Sequence, residues 1–411
     1  MNNLLRIIFA PLLSLAFLML SNGFFMTFVS AKLLLDGANS LTIGVIQGSY
    51  YAGFLIAALK SEHLIQRIKH IRAFSFFASI ATACTLVTVF AHHIAIWILL
   101  RFIMGICIAA LYVVIESWLL TISNIKNRGV ILAIYMISLY VAQSLSQFII
   151  NLVDLNTEMA YIIAGILAAC SILPVTLTHT RIPDINAPPA RAIFHLFVIA
   201  PLGTIGAIMA GIMLGSLYTF GPNYAQSNKI SIAYLMSLTI AGGFLLQYPI
   251  GRLSDIISRR KVVIAVSFFS FASAIAMIIS TGHPFWVLFF SFILGGFTFT
   301  IYPLSIAQVV DRSDPDQLTT VAGVMLFAYS LGAVIGPFVT PIFIHVFKGQ
   351  IGLYYSIALA SLFLLISGFI LSLIKRPLPK QEQENFVALP PQTPIGYDLD
   401  PRSEENTDKE K

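Results

Sequence analysis

Residues 97–118 read WILLRFIMGICIAALYVVIESW. The run is long enough to cross a bilayer, and it is apolar apart from Arg101 and Glu116. An arginine at the centre of a membrane helix costs roughly 2.5–3.5 kcal/mol on insertion scales, so it needs a partner or a wet cavity. At roughly 100° per residue, Arg101, Gly105, Ile108, Tyr112 and Glu116 fall within about 80° of helical arc. That face must look into protein or water, and the other helices must pack around it. Arg101 and Glu116 stand about 22 Å apart along the helix at about 1.5 Å per residue, too far to pair directly.

The same apolar character extends along the chain. Of its 411 residues, 58% are hydrophobic and 10% charged, against about 25% charged in soluble domains. Runs of about 20 apolar residues mark helices and not barrel strands. Twelve spans are expected, near 7–31, 43–61, 71–91, 95–119, 128–152, 159–179, 193–220, 230–250, 261–281, 284–310, 317–341 and 352–374. Val29-Ser30-Ala31 resembles a cleavage site, but the run before it is too long for a signal peptide. The expected organisation is a six-helix bundle over 1–179, a cytoplasmic linker over 180–192, a second six-helix bundle over 193–374, and a disordered polar tail over 375–411. With the N-terminus inside, all but four of the 24 Lys and Arg lie on the inner side; the exceptions are Lys32, Lys229, Lys348 and the intramembrane Arg101. This bias predicts cytoplasmic termini, in a bacterial inner (plasma) membrane. The +6 charge sits in short loops and does not indicate nucleic acid. Cys84, Cys107 and Cys170 lie in apolar runs without metal-ligand spacing.

Six helices, a linker and six helices imply an internal duplication of the kind found in secondary transporters. The most basic short loops follow the second and eighth helices. The second of these, Gly251-Arg252-Leu253-Ser254-Asp255-Ile256-Ile257-Ser258-Arg259-Arg260-Lys261, resembles the signature loop of the major facilitator superfamily. It departs from that signature at Ile256 and Ser258. The first-half copy, aligned on Arg67 and Arg72, carries Glu62, Gln66 and Lys69 at its signature positions. Arg101 followed by Gly105 is similar to a fourth-helix pattern that the superfamily links to proton coupling. Gly332, Gly336 and Pro337 resemble the glycine–proline motif of antiporters, though in drug antiporters it lies on the fifth helix. Val114-Ile115-Glu116-Ser117 and Asn127-Arg128-Gly129 resemble the YcaD-like branch. The resemblance spans about residues 5–375 and implies an all-α major facilitator fold of two pseudo-symmetric six-helix bundles.

Within that frame, Arg101 is expected to bind an anionic substrate group, to modulate a proton site, or to serve as a packed charge. Glu116 is expected to pair with loop residues such as Arg67 as a gate clamp, or to carry a proton. On the fifth helix Tyr140, Gln143, Gln147 and Asn151 form one stripe, and lipid is a poor solvent for amides, so it faces inward. Asn22, Gln47, Tyr112, Tyr218 and Gln247 are further candidates for the pathway. Gly251, Arg252, Asp255, Arg259, Arg260 and Lys261 form a gating loop that is solvated or paired at a helix end. Gly211 and Gly215 have close-packing spacing. Gly221-Pro222 is expected to end the seventh helix and Pro303 to kink the tenth. Most of the phenylalanines are expected to face lipid.

The reading is a monomeric secondary transporter in the lipid bilayer, not an enzyme, moving a small polar or anionic solute by alternating access. It needs no cofactor, metal, nucleotide or nucleic acid. No nucleotide-binding motif is present, so an ion or substrate gradient, in the first place protons, would drive it. The alternatives are a proton-coupled multidrug exporter and a non-transporting receptor or scaffold on the same fold.

Overall fold

The computed structural model describes residues 2–68, 70–123, 127–177, 200–313, 318–374, 383 and 386–387, with side chains described except at 2–7, 58–70, 121 and 318–320. Among these residues there are no strands. Twelve helices are long and apolar enough to cross a membrane, because in hydrocarbon each backbone N–H and C=O must find its partner within the segment. They are α1 (Asn2–Leu35), α2 (Ser40–Ile68), α3 (His70–Val87), α4 (Ile94–Ile122), α5 (Arg128–Ser146), α6 (Met159–Cys170), α7 (Pro201–Ser227), α8 (Ile232–Ile256), α9 (Arg259–Ile279), α10 (Pro284–Val310), α11 (Leu318–Val346) and α12 (Gly352–Ile374). A tighter helical turn, Gln147–Leu152, completes the fifth span, and Ile172–Thr176 prolongs the sixth. Prolines in the first turn start α7 and α10, where the missing N–H is harmless. Asn39 Oδ1 accepts the Thr42 N–H at 2.8 Å at the start of α2.

Small residues decide which helices touch. A Cβ placed on Gly53 would fall 2.0 Å from the Phe102 carbonyl oxygen, and one on Gly105 1.9 Å from that of Tyr50. This locks α2 to α4. The second half repeats the device: Gly242 lies against Phe292 and Gly295 against Thr239, each at 1.9 Å, locking α8 to α10. On α7 and α11 the glycines face each other. Gly211 abuts the Tyr329 carbonyl, Gly215 that of Ala333, Gly332 that of Ile208 and Gly336 that of Ile212. Lipid tails are as apolar as leucine, so such close backbone approach and interhelical hydrogen bonds drive association here.

The two six-helix bundles, α1–α6 and α7–α12, meet through α1–α7, α2–α11 and α5–α8. Ser30 Oγ donates to the Thr219 carbonyl and lies 3.2 Å from Asn223 Oδ1. Ser237 Oγ donates to the Ser144 carbonyl at 2.9 Å, and Ser144 Oγ returns a bond to the Ser237 carbonyl at 3.3 Å. A Cβ on Gly44 would meet the Pro337 carbonyl at 2.1 Å. All these contacts lie toward the end of the molecule that carries the turns at 36–39, 228–231 and 347–351, and they seal it.

One sequence expectation is corrected. The seventh helix does not end at Gly221-Pro222 but runs on to Ser227. Pro222 removes the donor for the Tyr218 carbonyl, a loss that membrane helices tolerate where neighbouring helices pack close; Ser30 of α1 donates to the next carbonyl, that of Thr219. Among the phenylalanines, Phe24, Phe25, Phe28, Phe74 and Phe220 are wholly buried. α10 passes through Pro303 without a break. The linker 180–192 and most of 375–411 lie outside the described residues. Of that tail, Gln383, Phe386 and Val387 are described, the last two packed against the core.

Candidate functional site

Between the two halves lies a cavity. Its volume is about 100 Å³ for the centre of a water molecule. Adding a water radius on every side gives on the order of 300 Å³ of physical space, the lower end of the range for small-molecule sites. From the first half it is lined by Asn22, Gly23 and Met26 of α1, Tyr50, Tyr51 and Phe54 of α2, Tyr112 of α4, and Tyr140 and Gln143 of α5. The second half contributes Leu214 and Tyr218 of α7, Phe299 of α10, and Tyr329, Ser330 and Ala333 of α11. Among the described residues, no charged side chain lines it. Gln143 Nε2 donates to the Tyr218 hydroxyl across the halves at 2.9 Å, and Asn22 Nδ2 to the Tyr50 hydroxyl at 3.2 Å. Asn22 Oδ1 and Ser330 Oγ are buried with no hydrogen-bond partner.

Of the pathway candidates, Asn22, Tyr112, Tyr140, Gln143 and Tyr218 line this cavity. The fifth-helix stripe is divided. Gln147 packs between α1 and α5, accepting from Thr27 Oγ1 at 2.6 Å, and Asn151 is exposed near the sealed end. Gln247 is buried on α8 away from the lining. The sequence reading missed Tyr50, Tyr51, Phe54, Phe299, Tyr329 and Ser330. A signal was present: tyrosines prefer the membrane interface, so Tyr50-Tyr51 and Tyr329 inside apolar spans are out of place on the lipid face.

Arg101 sits one side chain behind the cavity wall and is 0% exposed. Its Nη2 donates to Gln47 Oε1 at 2.5 Å and lies against the Met26 sulfur. Gln47 is held in turn by its own bond to the Met26 carbonyl at 3.0 Å. The guanidinium carbon stands 4.8 Å from the centre of the Tyr50 ring and 5.7 Å from that of Phe25. Two cation–π contacts in a dry site contribute up to about 2 kcal/mol each, which offsets part of the burial of the charge. Its Nε and Nη1 have no hydrogen-bond partner. Met26 and Tyr50 therefore separate the cation from any solute in the cavity.

Glu116, about four turns further along α4, is wholly buried and its Oε1 accepts the Tyr135 hydroxyl at 2.5 Å. It faces α5 and not the cavity lining. Tyr112, one turn before it, donates to the Met19 sulfur at 2.9 Å. The side chain of Arg67, the expected clamp partner, lies outside the described residues.

The second-half loop is more buried than its charges imply. Arg259 is 1% exposed. Its Nη1 reaches both oxygens of Asp311 at 2.5 Å and the Ala307 carbonyl at 3.1 Å; its Nη2 reaches Asp255 at 3.3 Å. It thus ties the ends of α8, α9 and α10 together. Arg260 is buried near the Leu371 carbonyl, Arg252 lies 5.5 Å over the Tyr248 ring, and Lys261 is exposed. Asp255 also accepts the Phe386 N–H at 2.8 Å, and the Phe386 ring covers Gly251.

A family model described as Major Facilitator Superfamily matches residues 12–231 and 203–397. The chain is 30% identical over 348 residues to the MFS-type transporter YcaD of Escherichia coli O45:K1 (strain S88), covering 83% of this chain and 89% of that one. With YcaD of Escherichia fergusonii it shares 31% identity over 302 residues, 72% of this chain and 78% of the relative. Among solved structures, the nucleoside transporter NupG superposes with a TM-score of 0.73 at 14% identity, covering 92% of this chain and 100% of that one. A bacterial homologue of the human lysosomal transporter Spinster, in an inward-facing and occupied conformation, gives 0.71 at 14% identity, covering 92% and 98%. At that identity the solved structures speak for the fold alone. The family match over nearly the whole chain, the YcaD relatives and the twelve apolar helices agree: this chain is an integral membrane protein and belongs to the Major Facilitator Superfamily of transporters.

Proposed function

We propose that the protein is a secondary active transporter that carries a small polar solute through the central cavity by alternating access, coupled to protons. The observation that supports this most is the cavity itself, walled by α1, α2, α4 and α5 of one bundle and α7, α10 and α11 of the other. A site shared in this way opens to either side as the bundles rock about it. If the termini are cytoplasmic, as the basic loops favour, the sealed end faces outward. Glu116 is the proton-carrier candidate, buried on the same helix as Arg101. Arg101 acts through its field on the cavity and not by gripping a substrate carboxylate, since Tyr50 and Met26 intervene.

A multidrug exporter is the second reading, favoured by the aromatic lining. The lack of an acid among the lining residues counts against it for cationic drugs.

The test uses proteoliposomes with an internal pH dye and no imposed gradient. Pooled metabolites, then drugs, are added to wild type, Arg101→Ala and Glu116→Gln. Proton movement that depends on the metabolite pool and disappears in Glu116→Gln is the expected result. A response to drugs alone selects the exporter. A flat response in wild type, with no uptake of label either, would sink transport altogether.

A further inference from the structure

The shape and chemistry of the lining narrow the solute, if the transport reading above holds. Eight aromatic rings face the cavity: Tyr50, Tyr51, Phe54, Tyr112, Tyr140, Tyr218, Phe299 and Tyr329. Where they touch one another they do so tilted or edge-on. Tyr50 and Tyr51 cross at 85°, Phe54 and Tyr112 at 65°, Tyr140 and Phe299 at 60°, and Tyr218 and Phe299 at 76°. Edge-to-face walls leave ring faces available to a flat guest, which is held best by offset stacking or by its own edge.

The polar groups add a second requirement. The Asn22 and Gln143 amides each give one N–H to a tyrosine hydroxyl and keep the other. Asn22 Oδ1 on one bundle and Ser330 Oγ on the other are buried and unmatched. An empty or apolar cavity leaves both atoms unsatisfied, which is unfavourable. Both residues line the cavity, and with a side-chain turn toward it a guest that offers a donor to Asn22 and either a donor or an acceptor to Ser330 satisfies both and links the two bundles. Charge adds a third requirement. With no charged side chain on the lining, an ionised guest would enter without a counter-ion. The Arg101 guanidinium, 4.8 Å from the centre of the Tyr50 ring, opposes cations in particular. The space of one or two rings sets the size.

We infer that the cavity binds and carries uncharged planar nitrogen heterocycles, or aromatic ring carboxamides, that present both an N–H donor and an acceptor at the ring edge. This rests on the transport reading for its word "carries", and the test separates the two.

The probes are uracil, adenine and nicotinamide, set against cyclohexanecarboxamide (same amide, no flat ring), benzoate (flat anion), tetraphenylphosphonium (aromatic cation) and glucose. Purified full-length protein is assayed for thermal stabilisation by light scattering, and proteoliposomes for counterflow of labelled probe. At least one neutral heterocycle is expected to raise the melting temperature and to exchange, while the four comparison compounds do neither. Ser330→Ala and Phe299→Leu are each expected to weaken that binding about tenfold while the unliganded melting temperature stays near wild type, which shows that they fold. Binding of benzoate or tetraphenylphosphonium in place of the neutral rings would overturn the inference. So would binding without exchange, which makes the ring an inhibitor and not a cargo. A protein that exchanges another member of a metabolite pool while ignoring every ring probe keeps the transport reading and loses this one.

Discussion

At the scale of single residues, Arg101 and Glu116 are both buried ionisable groups on one helix, but their surroundings differ. Arg101 has a side-chain amide, a thioether and two rings around it, and no carboxylate. Replacing an unpaired buried charge by an apolar group of similar reach is often neutral or stabilising. Arg101→Met is therefore expected to melt no lower than wild type in detergent while losing solute-linked proton movement; a clear fall in melting temperature would show the charge to be structural. Lysine is not a conservative replacement, because an ammonium does not reproduce the planar contact with Tyr50. For Glu116 the neighbour to test is Tyr135. Tyr135→Phe removes a hydrogen bond to a charged acceptor, about 1.5–3 kcal/mol, and is expected to lower the melting temperature. Glu116→Gln keeps an acceptor for the same hydroxyl. It is expected to fold normally and to leave uptake insensitive to external pH between mildly acid and neutral values.

At the scale of elements, the glycine contacts are steric, and they predict where a methyl group does harm. On α11 a Cβ at Gly332 would stand 2.0 Å from the Ile208 carbonyl oxygen of α7. Gly332→Ala must force these helices apart, at a cost of about 1–3 kcal/mol or more by analogy with overpacked cores. Gly349, in the turn after α11, has nothing within 4 Å of its Cβ position. Gly349→Ala is the matched control, expected to melt within a degree or two of wild type. At the C-terminal end of α8, a Cβ on Gly251 would fall 2.1 Å from the Phe386 ring. Gly251→Ala is expected to displace the tail, read as faster cleavage near residue 386 by a protease with otherwise unchanged digestion. Equal cleavage rates in the two proteins would show that the tail does not rest on Gly251.

At the scale of the whole molecule, the paired Ser144 and Ser237 bonds mark the place where α5 and α8 hold the sealed end shut. In a background lacking the three native cysteines, a Ser144→Cys, Ser237→Cys pair is expected to crosslink under mild oxidation and to stop transport, with recovery on reduction. Transport that survives a complete crosslink would mean that this end does not open. The same scale shows how much was legible beforehand. The twelve spans, the two bundles and the family follow from apolar runs about 20 residues long, the basic loops and the Gly251–Lys261 motif. These are local properties of the chain, and a bilayer admits few other solutions. The helical face carrying Arg101, Gly105, Tyr112 and Glu116 was correctly read as turned away from lipid. What that face meets was not legible. Gly105 meets the Tyr50 carbonyl, Arg101 meets Gln47 from a different helix, and Glu116 meets Tyr135. The mid-span tyrosines Tyr50, Tyr51 and Tyr329 signal an inward face, but that they and Phe299 wall one cavity depends on α2, α10 and α11 being brought together. The sequence by itself determined the membrane, the helix count and the duplicated plan, because hydropathy and charge act residue by residue. Only the tertiary structure decided that the cavity is aromatic and uncharged, and that the arginine stands behind its wall. Both depend on which faces of separate helices oppose one another, and close packing between distant segments settles that.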